Sequence, residues 1–411
     1  RSFCARRIRK KRSMPLTETE RELVAAVPTL TELVADLRRL VDVNSFTANK
    51  LGVDQVADLV ERRLEDLGFR TACMVDGKTG RHVVARRLGA GGPRVLLIGH
   101  TDTVHAPESG FSALSTDPED ADRLRGPGVA DMKGGLVVLL GALTALQAAG
   151  RLDGAEVVVV VNADEEEGAP TSGDLIRAEA EESQLALAFE CGRAAADGAT
   201  TIVTARRGVG RMKLRATGSA SHAGSNPGGG ASAVLETAQK VAPLHALSDE
   251  AAGRTVTVGV LRGGTAANVT PAECEMEIDY RFPDEESGRE LGDAVIEVAS
   301  DTLLRSPTGR PLVRTMVTSH LVRPPLVRTE AVAAAAARIL AAGADLGLTL
   351  VEEFRGGSSD AALAAEVGCT AVCGLGIVGG EIHTANEWAR ASSLTDRARL
   401  AALVIDRFLR G

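Results

Sequence analysis

Apolar residues recur every three to four positions over residues 29–43 and again over 51–69, which predicts two amphipathic surface helices, with Gly68 placed to stop the second. HVVARRL (82–88), PRVLLIG (93–99), AEVVVVVN (155–162) and LALAFE (185–190) are short, nearly continuous apolar runs. Helical stretches such as MKGGLVVLLGALTALQAAG (132–150) separate them. Strands that are apolar on both faces and alternate with helices predict an α/β domain whose mostly parallel sheet is covered by helices. From about residue 206 the period changes to two: RMKLRATG, TVTVGVL and CEMEIDYRF alternate apolar and polar positions, as half-exposed antiparallel strands do. Helices over 229–244 and 285–304 separate these strands, which gives the β-α-β-β-α-β order of an inserted α+β ferredoxin-like domain over 206–318. The α/β pattern then returns, with helices over 330–347 and 393–409. The expected organisation is a basic tail (1–14) and a discontinuous α/β domain (15–205 and 319–411) interrupted by the insert.

A chain of 411 residues is too long for a single small domain, and no apolar stretch approaches the ~20 residues of a membrane span. Aromatic residues make up only 2%, so the core must come from Ala, Val, Leu and Ile, and stacking platforms for nucleic acid are scarce. A net charge of −8 argues the same way. Neither a nucleic acid nor a membrane is an expected partner. The first thirteen residues carry seven Lys or Arg and no apolar segment follows them, so they read as a disordered tail rather than a secretory signal, with Met14 a candidate start. Taking those seven charges from −8 leaves −15 on residues 14–411, a strongly acidic body. Cys4, Cys73, Cys191, Cys274, Cys369 and Cys373 show no CxxC spacing, which fits reduced thiols and a cytoplasmic location.

Five acid and histidine clusters are spread along the chain: GHTDTV (99–104), GPGVADMKGG (126–135), NADEEEG (162–168), LAFE (187–190) and GEIHTANE (380–387). Each falls at the end of a strand-like run or the start of a helix, where open α/β sheets place their ligand sites. In HxD, His100 can bind a metal while Asp102 holds the other ring nitrogen. Taken alone, the same tripeptide serves as well in a cap, and Asp131 as well in a turn. Three adjacent carboxylates in NADEEEG, after an apolar strand, repel one another unless cations offset them, although a helix N-terminus absorbs part of such charge. Glu190 ends an apolar strand that has no structural need of a charge. Five oxygen or imidazole ligands with one shared carboxylate suit two zinc ions about 3.5–4 Å apart.

In order and spacing these motifs resemble the two-zinc metallopeptidases that include bacterial glutamate carboxypeptidase, succinyl-diaminopimelate desuccinylase, acetylornithine deacetylase and aminoacylase, over essentially residues 30–411. The resemblance implies that His100, Asp131 and Glu190 hold one metal and that Asp131, Glu166 and His383 hold the other, Asp131 bridging. Two zinc ions are the implied cofactor, with cobalt or manganese as substitutes. Gly168 matches the DEExG spacing of that family, which makes Glu165 the general base and Glu166 the ligand. Cys191 stands where a proline is common and puts a soft thiol near the site.

The insert adds two polar, glycine-rich loops, GSASHAGSNPG (218–228) and GGTAANVTP (263–271). Alone these are ordinary turn chemistry. By the resemblance, His222 stabilises the oxyanion in the other subunit of a homodimer joined through the inserts, and Asn268 assists. Arg281 matches an arginine that binds the substrate carboxylate, and RGGSSDAALA (355–364), with Gly357, matches a substrate loop. Two junctions, near 206 and 318, predict a hinge whose closure brings Glu165 and His222 together. No GxSxG elbow supports a serine hydrolase. The expected activity is zinc-dependent hydrolysis of a peptide or N-acyl amide that frees an amino acid. GPGVADMKGG, with Pro127, most resembles the glutamate carboxypeptidase branch, whereas HTANE resembles the desuccinylase branch. A biosynthetic deacylase is therefore the second reading, and a catalytically silent amino-acid-binding relative the third.

Overall fold

The structure is a computed structural model that describes residues 15–411 apart from 76, 90 and 196. The basic tail expected over 1–14 lies outside the described residues. Two compact units emerge, one made of 15–205, 328–355 and 359–411, the other of 206–327 and 356–358.

The first unit is built on a six-stranded sheet in the order Arg70–Val75, Arg81–Arg87, Glu156–Asn162, Arg94–His100, Leu185–Ala188, Thr370–Val372. The last four run parallel, and the first two form an antiparallel hairpin at the edge. The strand Arg70–Val75 carries no apolar signature because it is an edge strand with mostly exposed side chains. Parallel strands end on one edge of a sheet, so His100, the loop after Asn162 and the Phe189–Glu190 segment emerge together. Helix Lys133–Ala148 buries thirteen of its sixteen residues, as a helix apolar on every side must, and packs against Ser393–Arg410 and Leu30–Val41. Thr29 and Glu32 close a reciprocal capping box on Leu30–Val41, and Thr17 and Glu20 do the same on Glu18–Ala25, a helix the apolar spacing did not indicate.

A small second sheet in this unit, Ser115–Thr116, Arg123–Arg125, Trp388–Arg390 and Gly379–Gly380, joins distant parts of the chain. It leads into the Asp131 segment from one side and frames the His383 loop from the other.

The other unit has the order β-α-β-β-α-β and a fully antiparallel sheet, arranged Thr255–Gly263, Glu273–Phe282, Gly208–Thr217, Arg314–Arg323. Met212, Leu214, Met276, Ile278 and Tyr280 alternate inward and pack with Leu244, Leu291 and Val295 of helices Ala233–His245 and Glu285–Ser300. Outward positions carry cross-strand ion pairs, Lys213–Glu277 and Arg215–Glu273. The expected boundary at 318 falls inside the strand Arg314–Arg323; its pairing with Gly208–Thr217 carries the compact unit on to Val327. Among the described residues no helix is long and apolar enough to cross a membrane.

Two glycines set the approach of elements near Glu190. A Cβ on Gly135 would lie 1.9 Å from the Phe189 carbonyl oxygen, and one on Gly376 2.1 Å from the same atom. Neither contact can relax by rotating a side chain, because the obstacle is backbone. Gly135→Ala is therefore expected to lower stability by about 1–3 kcal/mol despite the better helix propensity of alanine. Gly141→Ala in the same helix meets only the Leu33 and Ala398 side chains and should change far less; urea denaturation of both variants checks the difference.

Candidate metal centre

His100 is the last residue of its strand, pairs with Asn162 across the sheet and is 1% exposed. Its Nδ1 lies 3.0 Å from the Asp102 carbonyl oxygen and 3.3 Å from the Asp102 carboxylate. Both partners are acceptors, so Nδ1 carries a proton, and Nε2 is the ring atom turned towards Asp131 and Glu190. The Asp102 carboxylate also accepts from Thr47 Oγ1 at 2.9 Å and from the backbone N–H groups of Glu165 and Glu166 at 3.3 and 3.2 Å. One aspartate thus orients both the His100 ring and the turn that carries the second ligand.

That turn is the 3₁₀ segment Glu165–Glu167, closed by Gly168 at φ 96°. The neighbouring acids differ in environment. Asp164 is buried and accepts from Thr171 N, Thr171 Oγ1, Ser172 N and Ser172 Oγ, at 2.8, 2.7, 3.2 and 2.5 Å, which makes it the anchor of the turn. Glu167 is exposed, and Glu165 is half-buried at the head of the turn.

Asp131 lies between two imidazoles. Its Oδ1 is 3.4 Å from His100 Nε2, and its Oδ2 is 3.1 Å from His383 Nε2. Glu166 Oε2 approaches His383 Nε2 at 3.3 Å, and Glu190 Oε1 approaches His100 Nε2 at 3.8 Å. Ligand atoms of His100, Asp131 and Glu166 all lie within 4.8 Å of one another. The Asp131–Met132 peptide bond is cis. Five residues between 100 and 383 in the chain therefore meet at one point, with a carboxylate at the centre that offers one oxygen to each side.

The donor set fits metal ions. Among the described residues, His100 Nε2 and Glu166 Oε1 are buried without a hydrogen-bond partner, a costly state for two such groups unless something else binds them. Burial and the nearby Asp131 push Glu166 up to about 8. Burial also opposes charge on Asp131, but the flanking rings of His100 and His383 hold it well below the usual carboxylate range. On His100, burial is outweighed by Asp102 and Asp131, and its pKa stands well above the usual histidine value. Asp131 and Glu166 hold His383 up at about 10.

Glu387 and His105 escape a reading by motif. The Glu387 carboxylate, fully buried, accepts from Gly128 N (3.1 Å), Ala130 N (2.8 Å) and Asp131 N (2.9 Å), with His105 Nε2 at 2.7 Å. Lys133, also fully buried, donates to the Val43 carbonyl oxygen, and burial lowers its pKa to about 7 against the pull of Glu387 and Asp42. In the next strand Arg123 stacks 4.5 Å above the ring of Trp388.

Residues 96–407 match peptidase family M20/M25/M40. The chain belongs to this family. It is 30% identical to carboxypeptidase G2 of Pseudomonas sp. strain RS-16 over 91% of this chain and 88% of that one. To succinyl-diaminopimelate desuccinylase of Psychromonas ingrahamii it is 26% identical over 92% and 98%. Its fold matches that of an M20 family metallo-carboxypeptidase from Sulfolobus solfataricus with a TM-score of 0.73, over 92% of this chain and all of the other, at 16% identity. The M20 chain is accordingly a metallopeptidase, a hydrolase of amide bonds, and the cluster around Asp131 is where its residues can hold metal.

Cys191 directly follows Glu190, yet burial pushes its thiol up to about 12, and Arg355 Nη1 donates to its carbonyl oxygen at 2.7 Å. At neutral pH it stays a thiol. In the other unit, His222 Nδ1 accepts from Gly224 N and Ser225 N at 3.1 and 3.0 Å, and the Asn268 carbonyl oxygen accepts from Ala223 N at 2.9 Å, so the two polar loops brace each other. Arg281 makes a bidentate pair with Asp279, at 2.6 and 2.8 Å. The Gly357 carbonyl oxygen accepts from Arg206 Nη1 at 3.1 Å.

Metal binding must displace the protons on His383 and Glu166. Both pKa values are raised, so affinity should climb as pH rises from 6 towards 9, and uptake at pH 7 should release protons. Calorimetry of metal-stripped protein in buffers of different ionisation enthalpy measures that release; identical heats in every buffer would refute it.

Proposed function

We propose that this M20 chain is a two-zinc hydrolase that frees a C-terminal or N-acylated amino acid, in the manner of a glutamate carboxypeptidase. One observation carries the reading: Asp131 presents one carboxylate oxygen to His100 and the other to His383. In this assignment His100, Asp131 and Glu190 hold one zinc, and Asp131, Glu166 and His383 the other, with cobalt or manganese as replacements. When bound, the ions supply Lewis acidity to the scissile carbonyl and ease deprotonation of water.

Glu165 takes the proton from the attacking water and delivers it to the leaving amine. Its backbone N–H rests on the Asp102 carboxylate, which fixes the head of the turn. His222, from a second copy of the chain joined through the 206–327 unit, donates to the oxyanion. Supporting this role, its Nδ1 is already used as an acceptor, so the neutral ring keeps its proton on Nε2. Asn268 braces that loop. Arg281 takes the substrate carboxylate by exchanging its partner Asp279, and the Gly357 loop lines the same subsite. A second reading, a biosynthetic deacylase, is favoured by the similarity to the desuccinylase over nearly the whole of both chains.

The test is amino-acid release from peptidyl and N-acyl glutamate, aspartate, ornithine and diaminopimelate by enzyme stripped with chelator and then restored with zinc. Activity should return with zinc, and Glu165→Gln should cut kcat by about 10²–10⁴-fold while the bound metal stays constant. The preferred substrate chooses between the two readings, and a zinc-loaded protein inert on all of them would overturn both. Mixing inactive Glu165→Ala and His222→Ala chains should restore part of the activity if the histidine acts across subunits. No recovery in a demonstrably mixed dimer would place His222 in its own subunit's site.

A further inference from the structure

We infer that Glu387 is a positioning residue on which the two metal positions depend unequally: the one shared by Asp131, Glu166 and His383 depends on it through both the Asp131 and the His383 segments, the one of His100, Asp131 and Glu190 through Asp131 alone. The inference rests on the dinuclear reading given above.

The two positions are held up by different means. His100 ends a strand paired on both sides, Phe189 N donates to the Ile98 carbonyl oxygen at 3.0 Å, and Gly376 N donates to the Glu190 carbonyl oxygen at 2.9 Å. His100 and Glu190 are thus placed by sheet hydrogen bonds that do not involve Glu387. His383 sits instead in a loop, with its side chain half exposed. Its φ is 64° and that of Glu381 is 52°, left-handed values that residues with a Cβ adopt only where surrounding structure enforces them.

Glu387 supplies that enforcement. It follows His383 by four residues, and its carboxylate takes the N–H of Asp131 and of Ala130 on one oxygen and that of Gly128, with His105 Nε2, on the other. One buried side chain therefore fastens the segment that carries His383 to the segment that carries Asp131, although about 250 residues separate them in the chain. Within the loop Thr384 Oγ1 donates to the Glu381 carbonyl oxygen at 2.7 Å, and Glu387 N donates to the Thr384 carbonyl oxygen at 3.2 Å, so the anchor is transmitted to His383 by a short, bonded turn. A charged acceptor suits the task because three backbone donors converge on it and charge-assisted bonds to N–H are about twice as strong as neutral ones. Outer partners of metal ligands of this kind commonly govern 10–100-fold in affinity.

The test is a titration of metal-stripped protein with zinc against a competing chelator, and with cobalt followed by visible absorption, on wild type, Glu387→Gln and His105→Gln. Wild type should bind two ions. In Glu387→Gln the second ion should bind about 10–100-fold more weakly and the first should lose distinctly less, with kcat reduced, KM little changed and kcat recovering in excess zinc. His105→Gln, which removes one partner and leaves the carboxylate, should shift the second affinity in the same direction by a smaller factor; it also keeps the question answerable if Glu387→Gln fails to fold. Two unchanged affinities in both variants would overturn the inference, as would an equal weakening of both positions together with a lower melting temperature of the metal-free protein. Should wild type itself take up fewer than two ions, the dinuclear reading falls instead.

Discussion

The structure depends on a buried carboxylate between two imidazoles. Asp131 has lost most of its water, and at the distances seen here its charge is tolerated only because His100 and His383 stand on opposite sides of it. Everything nearby serves that constraint. The parallel strands bring His100 and Glu190 to one edge of the sheet, the Asp102 carboxylate ties the Glu166 turn to the strand end, and Glu387 holds the backbone of Asp131 itself. A set of like charges that would fly apart in water is held together by short local devices, each with a nameable donor and acceptor.

Much of this was legible in the sequence, because the ligands sit where pattern changes. His100, Asp131, Glu166, Glu190 and His383 all interrupt apolar runs or open loops, and the structure brings all five together. The switch to a two-residue period near 206 marked the second unit, and its outward Lys213, Arg215, Glu273 and Glu277 agree with that pattern. What the sequence hid had no periodic signature. Arg70–Val75 is an exposed edge strand, and the end of the second unit lies at Val327 because Arg314–Arg323 completes a sheet begun a hundred residues earlier. Glu387 bonds to backbone N–H groups, which no side-chain motif encodes, and Gly135 matters through a carbonyl oxygen on another element. Within Asp164–Glu167 the sequence could not show which acids are structural: Asp164 is spent on Thr171 and Ser172 and Glu167 faces water.

The contrast between the two units follows from their strand patterns. A parallel sheet buried on both faces makes a rigid base from which loops project, and the ligands of the M20 centre use that base. The antiparallel sheet keeps one face charged and solvated, so it can carry polar loops such as those of His222 and Asn268 at little cost to its own core.

Trp388 is the sole tryptophan of the chain. It begins the strand that leaves the His383 loop and lies under the Arg123 guanidinium. Indole emission from this protein is therefore a local signal, with its origin one residue from Glu387 and five from His383. Any rearrangement of that loop, by whatever cause, is open to observation in solution with no label attached.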